Sequence, residues 1–220
     1  QKDTPRGLRR TPVMVLWREP LKGQPVILYR LILMLALPVI LAGLGLRGLR
    51  GRESWADLAE RLGGGAALPG AGALWLHAAS NGELASARGL IGALLAEDPA
   101  RAIVITTNTP TARALAQGWA QSWAEARITA RLAPLDARWM LARAFARINP
   151  AALIVVENEL WPNRLTMAAA RGVPVFAVGA RMSARSAARW ARLGLGARLM
   201  GTITGLSAQD AGSEAAFRAM

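Results

Sequence analysis

The chain has 220 residues, 53% of them apolar, a length and composition that exclude wholesale disorder and suit one well-buried domain with a short appendage. Its 27 basic residues against 14 acidic ones give a net charge of +13, and all the basic residues except Lys2 and Lys22 are arginine, so an anionic partner is expected. The absence of cysteine excludes disulfides and thiolate metal sites, and the single histidine, His77, cannot build a histidine-based site alone.

The charge is unevenly spread. Residues 1–52 hold ten Lys or Arg against Asp3 and Glu19, a net of +8, which leaves +5 for the rest of the chain. Within that segment, residues 31–46 form a run of sixteen without a charge, preceded by Tyr29, Arg30 and a short apolar piece at 26–28. This is just under the roughly 20 residues that a spanning helix needs, and Pro38, Gly43 and Gly45 weaken it. A full span and a buried or interfacial helix or hairpin both remain open. Arginine and lysine on both flanks suit anchoring at an anionic leaflet but blur the orientation signal, and the long polar stretch before the run argues against a cleaved signal peptide. The chain opens at Gln1 and stops within a predicted helix at Met220, as a piece of a longer protein would.

The pattern divides the chain into a basic segment with its hydrophobic anchor (1–52), a short helix with a Gly-rich linker (53–72) and a globular domain (73–220). An amphipathic helix is predicted over 53–62, and the glycines of 63–72 read as a flexible joint. Beyond it, strands are predicted at 74–78, 102–106, 128–132, 151–156 and 173–178, with a sixth at 201–206. Helices are predicted at 83–96, 111–124, 138–146, 162–170, 183–193 and 208–220. Continuous apolar strands alternating with helices predict an α/β fold, a Rossmann-like parallel sheet with helices on both faces. Ligands of such sheets bind at the carboxyl ends of the strands, so chemistry is expected in the loops that follow them.

Those loops are polar. His77-Ala78-Ala79-Ser80-Asn81-Gly82-Glu83 follows the first strand, with Glu83 in a helix's first turn, where the dipole favours the ionised carboxylate. Ser80, Asn81 and Gly82 form a turn whose amides are candidates to meet a ligand. The second strand leads into Thr106-Thr107-Asn108-Thr109-Pro110-Thr111, a hydroxyl-rich stretch in which Thr107 is a candidate contact and part of the threonine content serves helix capping. Asp136, after the third strand, is expected to cap the helix that starts near Arg138. Glu157-Asn158-Glu159-Leu160-Trp161-Pro162-Asn163 places two carboxylates at the mouth of a buried strand, a costly arrangement unless they are hydrogen-bonded or used. Glu157, Glu159 and Asn163 are therefore candidate substrate ligands, and Trp161 is expected to pack. Arg181, after the fifth strand, is a candidate for gripping phosphate or carboxylate. A Gly-x-Gly-x-x-Gly match at Gly43 to Gly48 ends an apolar helix instead of following a strand, and is no dinucleotide loop.

Taken in order, HAASNGE, TTNTPT, APLD, ENELWPN and ARMSARS resemble the motif series of the Kdo transferases, from about Tyr29 to the end of the chain and including Glu60-Arg61-Leu62-Gly63. The resemblance implies the N-terminal, acceptor-binding half of a GT-B enzyme that transfers 3-deoxy-octulosonic acid (Kdo) from a CMP-Kdo donor to a lipid A precursor. It implies that this happens at the cytoplasmic face of the bacterial inner membrane, without cofactor or metal. In that family the Glu of a Ser-x-Gly-Glu motif is the catalytic base, which falls on Glu83. The sequence departs from the family's pattern at Asn81, at Gly179 where Asn is usual, and at Ala112 where Gly is frequent. These departures bear on substrate specificity and leave the carboxylates intact. The implied partners are the donor, the acceptor and an anionic membrane surface, with no nucleic acid. The alternative is a noncatalytic membrane-tethered half-domain that binds an anionic glycolipid or a partner chain.

Overall fold

The computed structural model describes residues 14–16, 26–68, 72–123, 125–192 and 196–220. In chain order, a short strand β1 (Met14–Leu16) precedes the long helix α1 (Ile27–Leu49) and the short helix α2 (Trp55–Arg61). Then come β2 (Ala73–His77), α3 (Asn81–Ser86), α4 (Arg88–Glu97), β3 (Ile103–Thr107) and α5 (Pro110–Ser122). The domain continues with β4 (Ile128–Leu132), α6 (Arg138–Ile148), β5 (Pro150–Val156), α7 (Pro162–Ala170) and β6 (Val175–Ala180). It ends with α8 (Ala184–Arg192), α9 (Gly196–Met200), β7 (Gly205–Ala208) and α10 (Ala211–Arg218).

Six of the strands are parallel, in the order β7-β6-β5-β2-β3-β4, and β1 joins the β7 edge antiparallel. The chain order reverses between β2 and β5. Sheets of this kind place their ligand crevice at such a reversal, because the connections on the two sides leave in opposite directions. Alternate strand residues feed two cores. Trp75, Leu153, Val155 and Val175 pack with Leu141, Phe145 and Leu165 on one face, and Leu76, Ile103, Ile105 and Ile154 pack with Leu84, Ile91 and Ala116 on the other. Fully burying one such Leu or Ile contributes about 1.5–3 kcal/mol, which is why the parallel strands read as unbroken apolar runs. Near β5, β6 and β7 the second face keeps an apolar groove of about 290 Å³ beside Leu90 and Leu94 of α4.

Departures from the expected elements have local causes. The helix expected over 83–96 is two helices, because the Ser86 hydroxyl donates to the Glu83 carbonyl at 2.7 Å and the Ala87 amide is shared between the Glu83 and Leu84 carbonyls. The strand expected from 173 begins at Val175, since Pro174 has no amide for the ladder. The last strand runs over Gly205–Ala208 instead of 201–206, the intervening residues forming the turn after α9.

The Gly-rich segment expected as a flexible joint is stitched down in its described part. Arg131 donates to the Ala66 carbonyl at 2.6 Å, Arg147 to that of Gly65 at 2.9 Å, and the Leu68 amide to the Arg147 carbonyl at 3.0 Å. Gly63 begins it with φ 75°, and a Cβ there would lie 1.9 Å from the Met140 carbonyl oxygen. Upstream, α2 is tied to the sheet and its loops, Glu60 accepting from the Leu132 amide at 2.8 Å and Arg61 donating to the Asn108 carbonyl at 3.1 Å, while Arg61 also holds Glu53 of the α1–α2 connection in a two-pronged ion pair at 2.7 and 3.1 Å.

Candidate active site

The crevice between β2 and β5 is built from the loops that leave those two strands. Ser80 caps α3, accepting the Glu83 amide at 3.3 Å, and this sets Glu83 in the first turn. The Glu83 carboxylate folds back over the cap, accepting from the Ala79 amide at 2.7 Å and from the Ser80 hydroxyl at 3.2 Å. Asn81 and Gly82 are exposed on the same turn.

Across the crevice, β5 ends in Glu157, whose φ of 56° is a left-handed value that a non-glycine residue adopts at a cost of about 1–3 kcal/mol. That turn sends the chain to Glu159, where a hydrogen-bonded chain terminates. The Trp75 indole donates to Thr106 Oγ1 at 2.8 Å, Thr106 Oγ1 lies 3.0 Å from His77 Nδ1, and His77 Nε2 lies 2.9 Å from Glu159 Oε2. The Trp161 indole donates to the same carboxylate oxygen at 2.7 Å, and Asn108 reaches it at 3.4 Å. His77 Nδ1 also lies 3.0 Å from the Thr106 carbonyl oxygen, so both ring nitrogens face an acceptor and the neutral imidazole can donate to only one of them, the carbonyl or Glu159.

Three electrostatic consequences follow. His77 is fully buried, and burial first, then the positive Arg164, lowers it to about 4 against the pull of Glu159. Burial alone would raise Glu159, but the donors His77 and Trp161 and the charge of Arg164 hold it below the usual carboxylate range. Glu83 moves the opposite way: burial and the negative charges of Glu159 and Glu157 raise it above the ordinary value, and the Ala79 and Ser80 donors oppose the rise. From sequence the helix-start position favours an ionised carboxylate, with repulsion from Glu157 or Glu159 the opposing possibility. Its burial and two like charges outweigh that local effect.

The remaining candidates lie apart from this pair of carboxylates. Thr107 is buried and donates to the Thr109 carbonyl at 3.1 Å. Asn163 is buried in the docking of α1 and α7: its side chain donates to the Asp136 carbonyl at 2.7 Å and accepts from Arg30 at 2.8 Å. Asp136 does not cap α6, as its position suggested. Its carboxylate accepts the Asn163 and Arg164 amides at 2.9 Å each and the Tyr29 hydroxyl at 2.8 Å, so it caps α7 instead. Arg181 is exposed beyond β6, where its charge adds to the larger effect of the Ser213 donors in lowering the Asp210 carboxyl. Gly179, standing where Asn was expected, has φ 61°, a conformation that both residues tolerate.

Sequence reasoning missed His77 as a participant, along with Thr106, Asn108 and Arg164. The available signal was a polar residue closing an apolar strand. Trp161, expected to pack, is 40% exposed and ties its indole to Glu159. It borders a cavity of about 210 Å³ with Asn108, Arg61 and Arg164 on one side and Leu33, Leu37 and Ile40 of α1 on the other.

Six parallel strands with a polar crevice at their switch point define an α/β ligand-binding domain of Rossmann-like type. Its sequence places it more narrowly: residues 56–220 match the family described as 3-deoxy-D-manno-octulosonic-acid transferase (kdotransferase), and the chain belongs to that family. It is 32% identical over 185 residues to the 3-deoxy-D-manno-octulosonic acid transferase of Haemophilus influenzae, an alignment covering 83% of this chain and 42% of the relative. A probable mitochondrial 3-deoxy-D-manno-octulosonic acid transferase of Arabidopsis thaliana is 32% identical over 164 residues, 74% of this chain and 36% of its own length. That of Bordetella pertussis is 35% identical over 127 residues, covering 57% and 29%. The chain thus spans less than half the length of these relatives.

Proposed function

We propose that this chain is the acceptor-binding half of an enzyme that transfers Kdo from CMP-Kdo to a lipid A precursor, at the cytoplasmic face of the bacterial inner membrane, with Glu83 as general base. The observation that carries the reading is the position of Glu83 at the switch-point crevice, with a raised pKa and two further carboxylates, Glu157 and Glu159, opposite.

The acceptor hydroxyl gives its proton to Glu83 as its oxygen attacks the anomeric carbon of Kdo, and the bond from that carbon to the CMP phosphate oxygen breaks, releasing CMP. A base is most effective when its pKa lies close to the working pH, so the upward shift serves this step. Glu159, kept ionised and fixed by His77 and Trp161, is a rigid acceptor for sugar hydroxyls and a standing negative charge that tunes Glu83. Ser80, Asn81 and Gly82 would line the approach with Glu157, and Arg181 is offered to an anionic group; Thr107 and Asn163, both buried, would shape the site from behind. The apolar α1 with its flanking arginines is read as the membrane attachment.

The test is transfer of labelled Kdo from CMP-Kdo to a lipid A precursor by the whole reading frame that contains this chain, beside its Glu83→Ala variant. Activity in the parent and its loss in a folded variant support the reading. An inactive parent with competent substrates overturns it in favour of a noncatalytic module, and a fully active variant overturns the role of Glu83.

A further inference from the structure

Helix α1 touches the domain at both of its ends and along the face between them. At its start, the Tyr29 hydroxyl donates to Asp136 and Arg30 Nε to Asn163, each at 2.8 Å. At its end, Arg47 reaches Glu53 at 3.3 Å, and Gly48 lies so close to α2 that a Cβ there would come 2.8 Å from the Leu58 side chain. Between them Leu33, Leu37, Ile40 and Leu44 turn inward at spacings of three and four, a stripe that follows the helical repeat for the whole length. The opposite face is apolar and open to the outside: Leu28 is 64% exposed, and Leu35 and Val39 are each 76% exposed.

We propose that α1 lies flat in the boundary between headgroups and acyl chains of an anionic bilayer, one face on its own domain and the other in lipid, instead of crossing the membrane. The proposal rests on the membrane attachment suggested above and is independent of the transfer chemistry. The helix is about 33 Å long, close to the thickness of the hydrocarbon layer. Were it to cross, its two ends would sit in opposite headgroup layers. The domain that grips both ends would then be drawn through the hydrocarbon with the Glu53–Arg61 pair and its own loops.

The flat arrangement also explains why α1 is apolar all round. An in-plane helix on a bilayer usually needs a polar face toward water, but here that face is turned to the domain, with Leu44 buried and Leu33, Leu37 and Ile40 half-buried over the cavity. Arg30, Arg47, Arg50 and Arg52 flank the apolar stretch, and α1 contains no acidic residue, so the rim suits anionic headgroups. Trp55, 68% exposed beside Gly48, continues this surface with a side chain suited to the interface.

The absence of cysteine in this chain makes the test direct. Single cysteines would be placed at the exposed positions Leu28, Leu35, Val39 and Leu46 of the whole reading frame, in a cysteine-free background, and labelled with a small fluorophore. The protein would be floated with vesicles of phosphatidylethanolamine and phosphatidylglycerol that carry quenchers at shallow or deep acyl positions. The expected result is flotation with all four labels quenched at one shallow depth. Deepest quenching at Leu35 and Val39 with Leu28 and Leu46 shallow would overturn the flat arrangement and leave membrane attachment standing. Absence of flotation, or flotation with no lipid quenching of any label, would overturn both the proposal and the membrane attachment it rests on, without bearing on transfer activity.

Discussion

His77 Nε2 stands 2.9 Å from Glu159 Oε2, joining the ends of β2 and the β5 loop across the point where the sheet order reverses. Because His77 titrates at about 4 when folded against an ordinary 6.5, the unfolded chain binds more protons between these values, and stability falls as pH drops through them. Glu159, also lowered, adds stability that is present above the ordinary carboxylate value and is lost only as pH falls further. Between pH 7 and pH 5 linkage gives the histidine's own contribution a loss of about 2 kcal/mol, which the raised carboxyls of Glu83 and Asp136 oppose. Denaturant unfolding of the parent and of His77→Gln at the two pH values should isolate this contribution as the difference between them, since the variant has nothing to protonate there.

Glu83 should announce itself in the pH dependence of transfer. Its carboxyl is raised by burial and by the charges of Glu159 and Glu157, so the acidic limb of kcat/KM is expected to bend above the value of an ordinary carboxylate. Glu159→Gln removes one of the two like charges, and its limb should move to lower pH. Glu83→Gln, which keeps the size of the side chain, should lower kcat by about 10²- to 10⁴-fold. A limb that stays put in Glu159→Gln would separate the two carboxylates electrostatically.

Local signals carried the expected fold a long way. The apolar strands from Leu74 to Val156 are continuous because both of their faces are covered, and the Ser80 cap and the acidic β5 loop stand at strand ends, where parallel sheets expose their loops. What stayed hidden depends on partners distant in sequence. His77 meets Glu159 from 82 positions away, and Asp136 caps a helix 27 positions on in preference to the adjacent one. The balance at Glu83 was half legible: the dipole of α3 is local and repulsion from Glu157 or Glu159 could be foreseen, but their distance, and the burial that leads the shift, depend on the fold. Strand β1, three residues long, has too little periodicity to register.

Gly63 isolates steric need from backbone preference. A Cβ there would meet the Met140 carbonyl oxygen at 1.9 Å, whereas Gly172, with a similar φ of 69°, faces open space. Gly172→Ala should cost about 1–2 kcal/mol, the strain of a left-handed alanine. Gly63→Ala should cost about 3 kcal/mol or more, because α6 must also retreat. Thermal unfolding of the two variants side by side checks the difference, and equal losses would mean that the segment can move away from α6.

Asp136 and Arg164 are buried opposite charges that feel each other without a direct contact between their side chains, and removing one should not mirror removing the other. Asp136 receives three donors, and burial, ahead of the opposing charge of Arg164, raises its pKa. Asp136→Ala strands those donors and leaves Arg164 alone in the core, at a cost of about 3–5 kcal/mol. Arg164 already has two nitrogens, Nε and Nη1, with no hydrogen-bond partner among the described residues, and its guanidinium rests 5.8 Å from the Trp75 ring. Arg164→Met keeps the apolar stem and ends that desolvation, so its cost should stay below about 2 kcal/mol, with Asp136 still satisfied by its donors. The double variant should be less destabilised than the sum of the singles, since each single leaves a charge behind. Removing Arg164 also withdraws the positive charge that depresses His77, so the imidazole should titrate above about 4 in Arg164→Met, a shift that NMR can follow on the chain's single histidine.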